Sequence, residues 1–254
     1  MLLLGIDIGT SSVKVSVVDA LKRTVISAAQ YPETEADIIS PQPGWAEQSP
    51  DSWWEHTKQA ILKCNASGTY DPLQIGAIGI AYQMHGLVMV DSQQHVLRNS
   101  IIWCDSRAVD IGDKAFEEIG PDFCLEHLLN SPGNFTASKL AWVKDEEPHL
   151  YSKIDKVMLP GDFIAMKLTD QITTTASALS EGVFWDFKKE DISEDICTYF
   201  GFDSKIFPAI EPVFSVHGFI KSSVAARLGL VKGIPVTYKA GDQPNNALSL
   251  NVLE

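Results

Sequence analysis

Residues 1–30 read MLLLGIDIGTSSVKVSVVDALKRTVISAAQ, and this stretch decides the fold class. Runs rich in apolar and β-branched residues, LLLGIDI at 2–8, SVKVSVVD at 12–19 and TVISAAQY at 24–31, are separated by short turns. The pattern predicts three short strands in a meander with its tightest bend at Gly9–Ser12. A chain that opens this way does not start with the βαβ unit of a dinucleotide-binding fold. Asp7 ends the first run between Gly5 and Gly9, with Thr10, Ser11, Ser12 and Lys14 behind it. Glycines permit close backbone approach, and N–H groups with the Thr10 and Ser11 hydroxyls can cradle phosphate oxygens. Asp7 would then hold Mg²⁺ through water, since that ion keeps several waters and needs one or two carboxylates. The alternative is a hairpin turn in which Asp7 makes a local hydrogen bond. The stretch has neither the Walker spacing nor GxGxxG.

Working outward, residues 32–50 are punctuated by four prolines and read as loop. Asp51 is expected to cap the helix SWWEHTKQAILKC, with Trp54, Lys58 and Ile61 on one face and Trp53 and Ala60 beside them. IGAIGIAYQ, at 75–83, is a nearly continuous apolar run, the signature of a strand covered on both faces. Helices are expected across roughly 108–160, with breaks at Pro121, Pro132-Gly133 and Pro148. KVMLPGDFIAMKLT follows as strand, turn and helix, and GIPVTYKAGDQPNNALSLNV as a strand, a turn and a helix starting near Pro244. The fold class is therefore α/β with a mixed sheet.

Composition narrows the function. The chain has 254 residues, is 45% hydrophobic and 21% charged, and can bury a sizeable core. A formal net charge of −13 opposes phosphate backbones and anionic lipid, so nucleic-acid and membrane-surface partners are not expected. Four cysteines without CxxC or ligand spacing read as reduced thiols, and no secretory signal is evident, so a cytoplasmic location is expected.

Three further groups carry chemistry. AYQMHG follows the apolar strand, and strand ends of open α/β sheets are where ligands bind. Gln83 and His85 there suit the reading of hydroxyl groups, although a lone histidine is often structural. In WCDSR, Trp103 offers an apolar face to a sugar while Asp105 and Arg107 bond hydroxyls, or Asp105 and Arg107 form a surface pair beside a buried Trp103. In AGDQPNN, Asp242 follows a strand directly and reads either as a helix N-cap or as a general base for an attacking hydroxyl.

Taken together, GIDIGTSSVKVSVVD, GWAEQSPDSWW, IGIAYQMHG, IIWCDSR, KVMLPGDFIAMKLT and AGDQ resemble the N-terminal half of the FGGY carbohydrate kinases. Among these the likeness is greatest to the xylulose kinases, through the Met84-His85 pair. The resemblance implies an actin-like ATPase fold of the actin, hexokinase and Hsp70 type, with all 254 residues forming the sugar-binding N-terminal domain. It implies Asp242 as catalytic base, Asp7 as the metal- and phosphate-associated aspartate, and Met84, His85, Trp103, Asp105 and Gln243 around the sugar. Gly9, Thr10, Ser11, Ser12 and Lys14 would face the phosphates of ATP. ATP and Mg²⁺ are the implied cofactors and D-xylulose the implied sugar, a homodimer being compatible with the family. A related polyol or ketose kinase and a non-catalytic sugar-binding module are the alternatives. Lys239-Ala240-Gly241 departs from the family's usual Gly-rich approach to the base. The family's second, nucleotide-closing domain has no counterpart in these residues, so the chain is expected to be part of a longer kinase.

Overall fold

The computed structural model describes residues 1–252. Its centre is a five-stranded mixed sheet of β1 (Leu2–Ile8), β2 (Val13–Asp19), β3 (Thr24–Tyr31), β4 (Ile75–Tyr82) and β5 (Val236–Gly241), in the order β5-β4-β1-β2-β3. The meander is antiparallel as expected, with Ile8 opposite Val13 and Asp19 opposite Thr24. β4 and β5 join β1 in parallel, so three strands deliver their carboxyl ends to the same edge.

The two faces of this sheet differ. Leu2, Leu4, Ile6 and Ile8 alternate with Val13, Val15 and Val17 of β2 and Ile78, Ile80 and Tyr82 of β4 in one buried layer. That layer packs on helices α1 (Pro50–Asn65), α4 (Pro160–Thr169) and α6 (Ser222–Leu228), through Trp53, Ile61, Phe163, Ile164, Val224 and Leu228. The other face carries Gly5, Asp7, Lys14, Ser16, Gly79 and Ala81 and forms the floor of a groove of about 770 Å³. β4 is thus covered on one face rather than both. Its Gly and Ala positions count as apolar in a sequence but leave a shallow, open floor.

Helix α1 also starts differently from expectation. Its N-cap is Ser49, whose hydroxyl accepts the Ser52 N–H at 3.4 Å, and Pro50 occupies the first helical position, where its missing N–H costs nothing. Asp51 lies inside the first turn, where its charge suits the helix dipole. The buried stripe is Trp53, Thr57, Ala60, Ile61 and Cys64, and Trp54 lies at its margin.

A second apolar cluster is built from α2 (Val109–Ile119), α3 (Thr136–Glu146) and α5 (Ala176–Glu181), with Leu140, Val143, Leu179, Phe184, Ile196 and Phe202 at its centre. The expected helical stretch is present, and Pro121 and Pro148 begin short helices of their own. Buried charges lie beside these clusters: Arg98 reaches Glu47 and Glu147, while Arg107 reaches Glu47 at 2.8 Å and lies 3.8 Å over the Trp45 ring. The last helix, α7 (Asp242–Ser249), begins two residues before Pro244. Among the described residues, no helix is long and apolar enough to cross a membrane.

Candidate active site

The parallel register brings the predicted residues to one edge of the sheet. Asp7 lies beside Ala81 of β4, and Ala81 beside Ala240 of β5, so Asp7 and Asp242 are two strand spacings apart, roughly 10 Å, plus the two-residue advance to Asp242. Asp242 is the first residue of α7, with Gly241 as N-cap, so it occupies the turn between strand and helix without capping the helix itself. Burial raises the Asp7 carboxyl above its ordinary value, the Lys14 ammonium 3.8 Å away lowers it, and the negative charge of Asp242 raises it again. The two carboxylates therefore share one field.

Behind Asp7 the Gly9–Ser12 turn is held tightly. Gly9 N–H donates to Ser12 C=O at 3.1 Å, and a Cβ on Gly9 would stand 3.0 Å from that oxygen. The Thr10 hydroxyl donates to Gln83 Oε1 at 3.1 Å, Gln83 Nε2 to Gln48 Oε1 at 3.0 Å, and Gln48 Nε2 to the Thr10 carbonyl at 2.7 Å. This closed ring corrects the reading of Gln83 as a sugar contact. Its amide is buried and both ends are used inside the protein. The Ser11 and Ser12 hydroxyls make no hydrogen bond among the described residues, and the Ser11 carbonyl accepts the Ala36 N–H at 2.7 Å. Lys14 is largely exposed beside Asp7.

Trp103 leans over the same turn. Its Nε1–H donates to Thr10 Oγ1 at 2.9 Å while the residue stays 53% exposed, so an apolar face remains open. Asp105 does not line the pocket. It is fully buried, and its carboxylate accepts the Ala46 N–H at 2.6 Å, the Arg107 N–H at 2.8 Å and the Arg107 guanidinium at 2.7 Å. A carboxylate so saturated has no lone pair free for a sugar, and Arg107 is buried with Nε and Nη2 turned onto Asp105 and Glu47.

Met84 and His85 stand between β4 and β5. A Cβ on Gly241 would approach Met84 Cγ to 2.8 Å, so Met84 lies against the backbone that carries Asp242. His85 has φ 62, the left-handed region, and its ring meets Phe135 edge-on at 4.6 Å. Burial holds its pKa down at about 4, the Lys139 ammonium adding to the depression against the opposing Glu181 carbonyl. The imidazole is therefore neutral near pH 7. Nδ1 lies 2.9 Å from that carbonyl, which only accepts, so the proton is on Nδ1 and Nε2 presents a lone pair. Gln243 is exposed and has no side-chain partner among the described residues.

Sequence reasoning missed two buried groups here. Lys139 on α3 donates to the His85 and Ile102 carbonyls, both at 3.0 Å, joining the MHG and WCDSR loops, and burial lowers its pKa to about 7. A lysine inside the apolar stretch TASKLAW was the available signal. Glu181 ends α5 beneath Gly241, and no local pattern marked it. Among the described residues no group of three or more metal-ligating side chains occurs. Asp7 alone suits an ion that keeps its waters and takes oxygens from a phosphate, which is the coordination habit of Mg²⁺.

Comparison with known proteins agrees with this fold. The family model described as the FGGY family of carbohydrate kinases, N-terminal domain, matches residues 2–249. The xylulose kinase of Escherichia coli (strain K12) is 33% identical over 253 residues, covering 99% of this chain and 50% of the relative. That of Bacillus subtilis (strain 168) is 30% identical over 256 residues, covering 98% and 49%. The chain thus spans about half the length of the curated relatives it matches. The crystal structure of the Rhodospirillum rubrum xylulose kinase superposes with a TM-score of 0.91 at 27% identity, over 100% of this chain and 51% of that one. A glycerol kinase from Plasmodium falciparum shares the fold at a TM-score of 0.90 and 20% identity. With its meander-led mixed sheet of the actin-like ATPase type and a family match over nearly its whole length, the chain belongs to the FGGY family of carbohydrate kinases.

Proposed function

We propose that this chain is the sugar-binding half of an ATP-dependent kinase that converts D-xylulose to xylulose 5-phosphate. The observation that carries the reading is the meeting of Met84, His85 and Asp242 at the carboxyl ends of two adjacent parallel strands, with Met84 against Gly241. The names of the relatives support the choice of sugar. In this reading the ketose lies against Met84, the His85 Nε2 lone pair accepts one of its hydroxyls, and the exposed Trp103 face covers apolar C–H groups. Gln243 bonds a further hydroxyl. Asp242 accepts the proton of the terminal hydroxyl as that oxygen attacks the γ-phosphorus of ATP.

Asp7 would hold a hydrated Mg²⁺ accompanying ATP, and that ion would supply charge to offset the phosphoryl group. The Thr10, Ser11 and Ser12 N–H groups and the Ser11 and Ser12 hydroxyls, with Lys14, face the phosphates, while the Gly9 N–H and the Thr10 hydroxyl brace the turn from within. The chemistry demands position and electrostatics rather than a covalent intermediate. A second domain, outside this chain, closes over the nucleotide and excludes water.

The test is a panel of ketoses, polyols and sugar acids offered to the complete protein with MgATP. D-xylulose with the highest kcat/KM is expected. A higher value for another sugar would move the substrate while keeping the site. ATP-dependent phosphorylation of none of them would overturn the reading.

A further inference from the structure

One residue in the site carries a strained backbone. His85 is neither glycine nor asparagine, yet it sits at φ 62, a conformation that persists only where its surroundings over-determine it. Three of its polar groups are held. Its Nδ1–H donates to the Glu181 carbonyl at 2.9 Å, its carbonyl accepts from Lys139 Nζ at 3.0 Å, and its N–H points at Glu181 Oε1 in a long contact of 3.5 Å. Phe135 closes the fourth side.

Glu181 is itself unusual. Its carboxyl is buried, its Oε2 has no partner, and a Cβ on Gly241 would stand 2.4 Å from that oxygen. The same side chain therefore touches the strand end that carries Asp242 and the loop that carries Met84 and His85. Burial pushes its pKa well above the carboxylate range, against the lowering by the His85 N–H, and the negative charges of Asp162 and Asp242 push the same way. A neutral acid at this point accepts through one oxygen without placing a second full charge beside Asp242.

We propose that Glu181 is a positioning residue of the sugar site, which together with Lys139 clamps His85 in its left-handed conformation and so fixes the Met84–His85 surface against Gly241. The inference deepens the sugar-kinase reading and rests on it for one of its two readouts. A preorganised surface matters because misplacement of a contact by about 1 Å costs on the order of a hundredfold in rate.

The experiment compares Glu181→Gln with Glu181→Leu. Gln keeps an accepting oxygen of the same reach; Leu removes it. In the complete protein, Glu181→Leu should raise the sugar KM about tenfold while the KM for MgATP stays put, and Glu181→Gln should stay close to wild type. Hydrogen exchange on the ligand-free protein gives the second readout, which needs no activity. Exchange in the 83–87 segment should rise in Glu181→Leu and remain protected in Glu181→Gln, with the rest of the sheet unchanged. If Glu181→Leu does not fold, Glu181→Ala is read in the same way. Wild-type exchange and wild-type sugar KM in the Leu variant overturn the clamp. So does a uniform rise in exchange across the chain, or a Gln variant as damaged as the Leu variant. A complete protein that phosphorylates no sugar would remove the kinase reading, while the exchange result would still decide the clamp.

Discussion

At the scale of single residues, Asp242 and His85 make separable predictions. General bases contribute about a hundredfold or more, so Asp242→Ala in the complete protein should lower kcat by at least about that factor in steady-state assays. A variant with wild-type turnover would end the assignment. His85 predicts a pH effect on stability. Its folded pKa of about 4 lies below the ordinary 6.5, so the unfolded chain binds the extra proton first as pH falls. The contribution is complete above pH 6.5 and is lost progressively between 6.5 and 4, amounting to about 2 kcal/mol at pH 5. Urea unfolding at pH 7 and pH 5 should show this loss in the wild type and a smaller one in His85→Gln.

At the scale of elements, the junction of β5 and α7 is the tightest point of the site. Gly241→Ala would place a methyl group 2.4 Å from Glu181 Oε2 and 2.8 Å from Met84 Cγ. Overpacking of this kind costs roughly 1–3 kcal/mol, and here the displaced groups flank Asp242. Lower thermal stability together with reduced kcat is expected, the two measured on the same preparation. The elements also show what a sequence tells. β1 and β3 have the predicted bounds, because alternating branched residues encode a half-buried strand directly. β4 was misjudged because glycine and alanine look apolar in a string of letters while forming an open floor. The start of α1 was misplaced by two residues because a proline at its first position moved the cap back to Ser49. His85 and Asp242 were legible as polar residues at strand ends, and Met84 only through the family resemblance. Glu181 was not, since it meets His85 across 96 positions of chain and nothing near it in sequence hints at the encounter.

At the scale of the whole molecule, buried charge lies beside the two apolar clusters, and Asp105 belongs to that network rather than to the pocket. Its residue type and place in WCDSR suited a sugar contact. Only the folded chain shows the Arg107 fork and the Ala46 N–H consuming its oxygens. Removing one member of such a buried pair costs about 3–5 kcal/mol because the other charge is left uncompensated. Asp105→Asn should therefore lower the unfolding free energy substantially in urea titration, and the sugar KM measured well below the melting temperature should hold. A large rise in KM without loss of stability would return Asp105 to the pocket.

The indole of Trp103 gives the molecule one more property. Of six tryptophans, this one stands half in water while its N–H is tied to the threonine of the Gly9–Ser12 turn, whereas Trp53 is sealed inside. Its emission is therefore sensitive to whatever lies against its open face, and a molecule that strips its water or draws on the Thr10 oxygen is expected to change its colour and intensity. The protein carries its own dye at the place where the two reactants would meet, and occupancy there can be followed by light alone, without turnover.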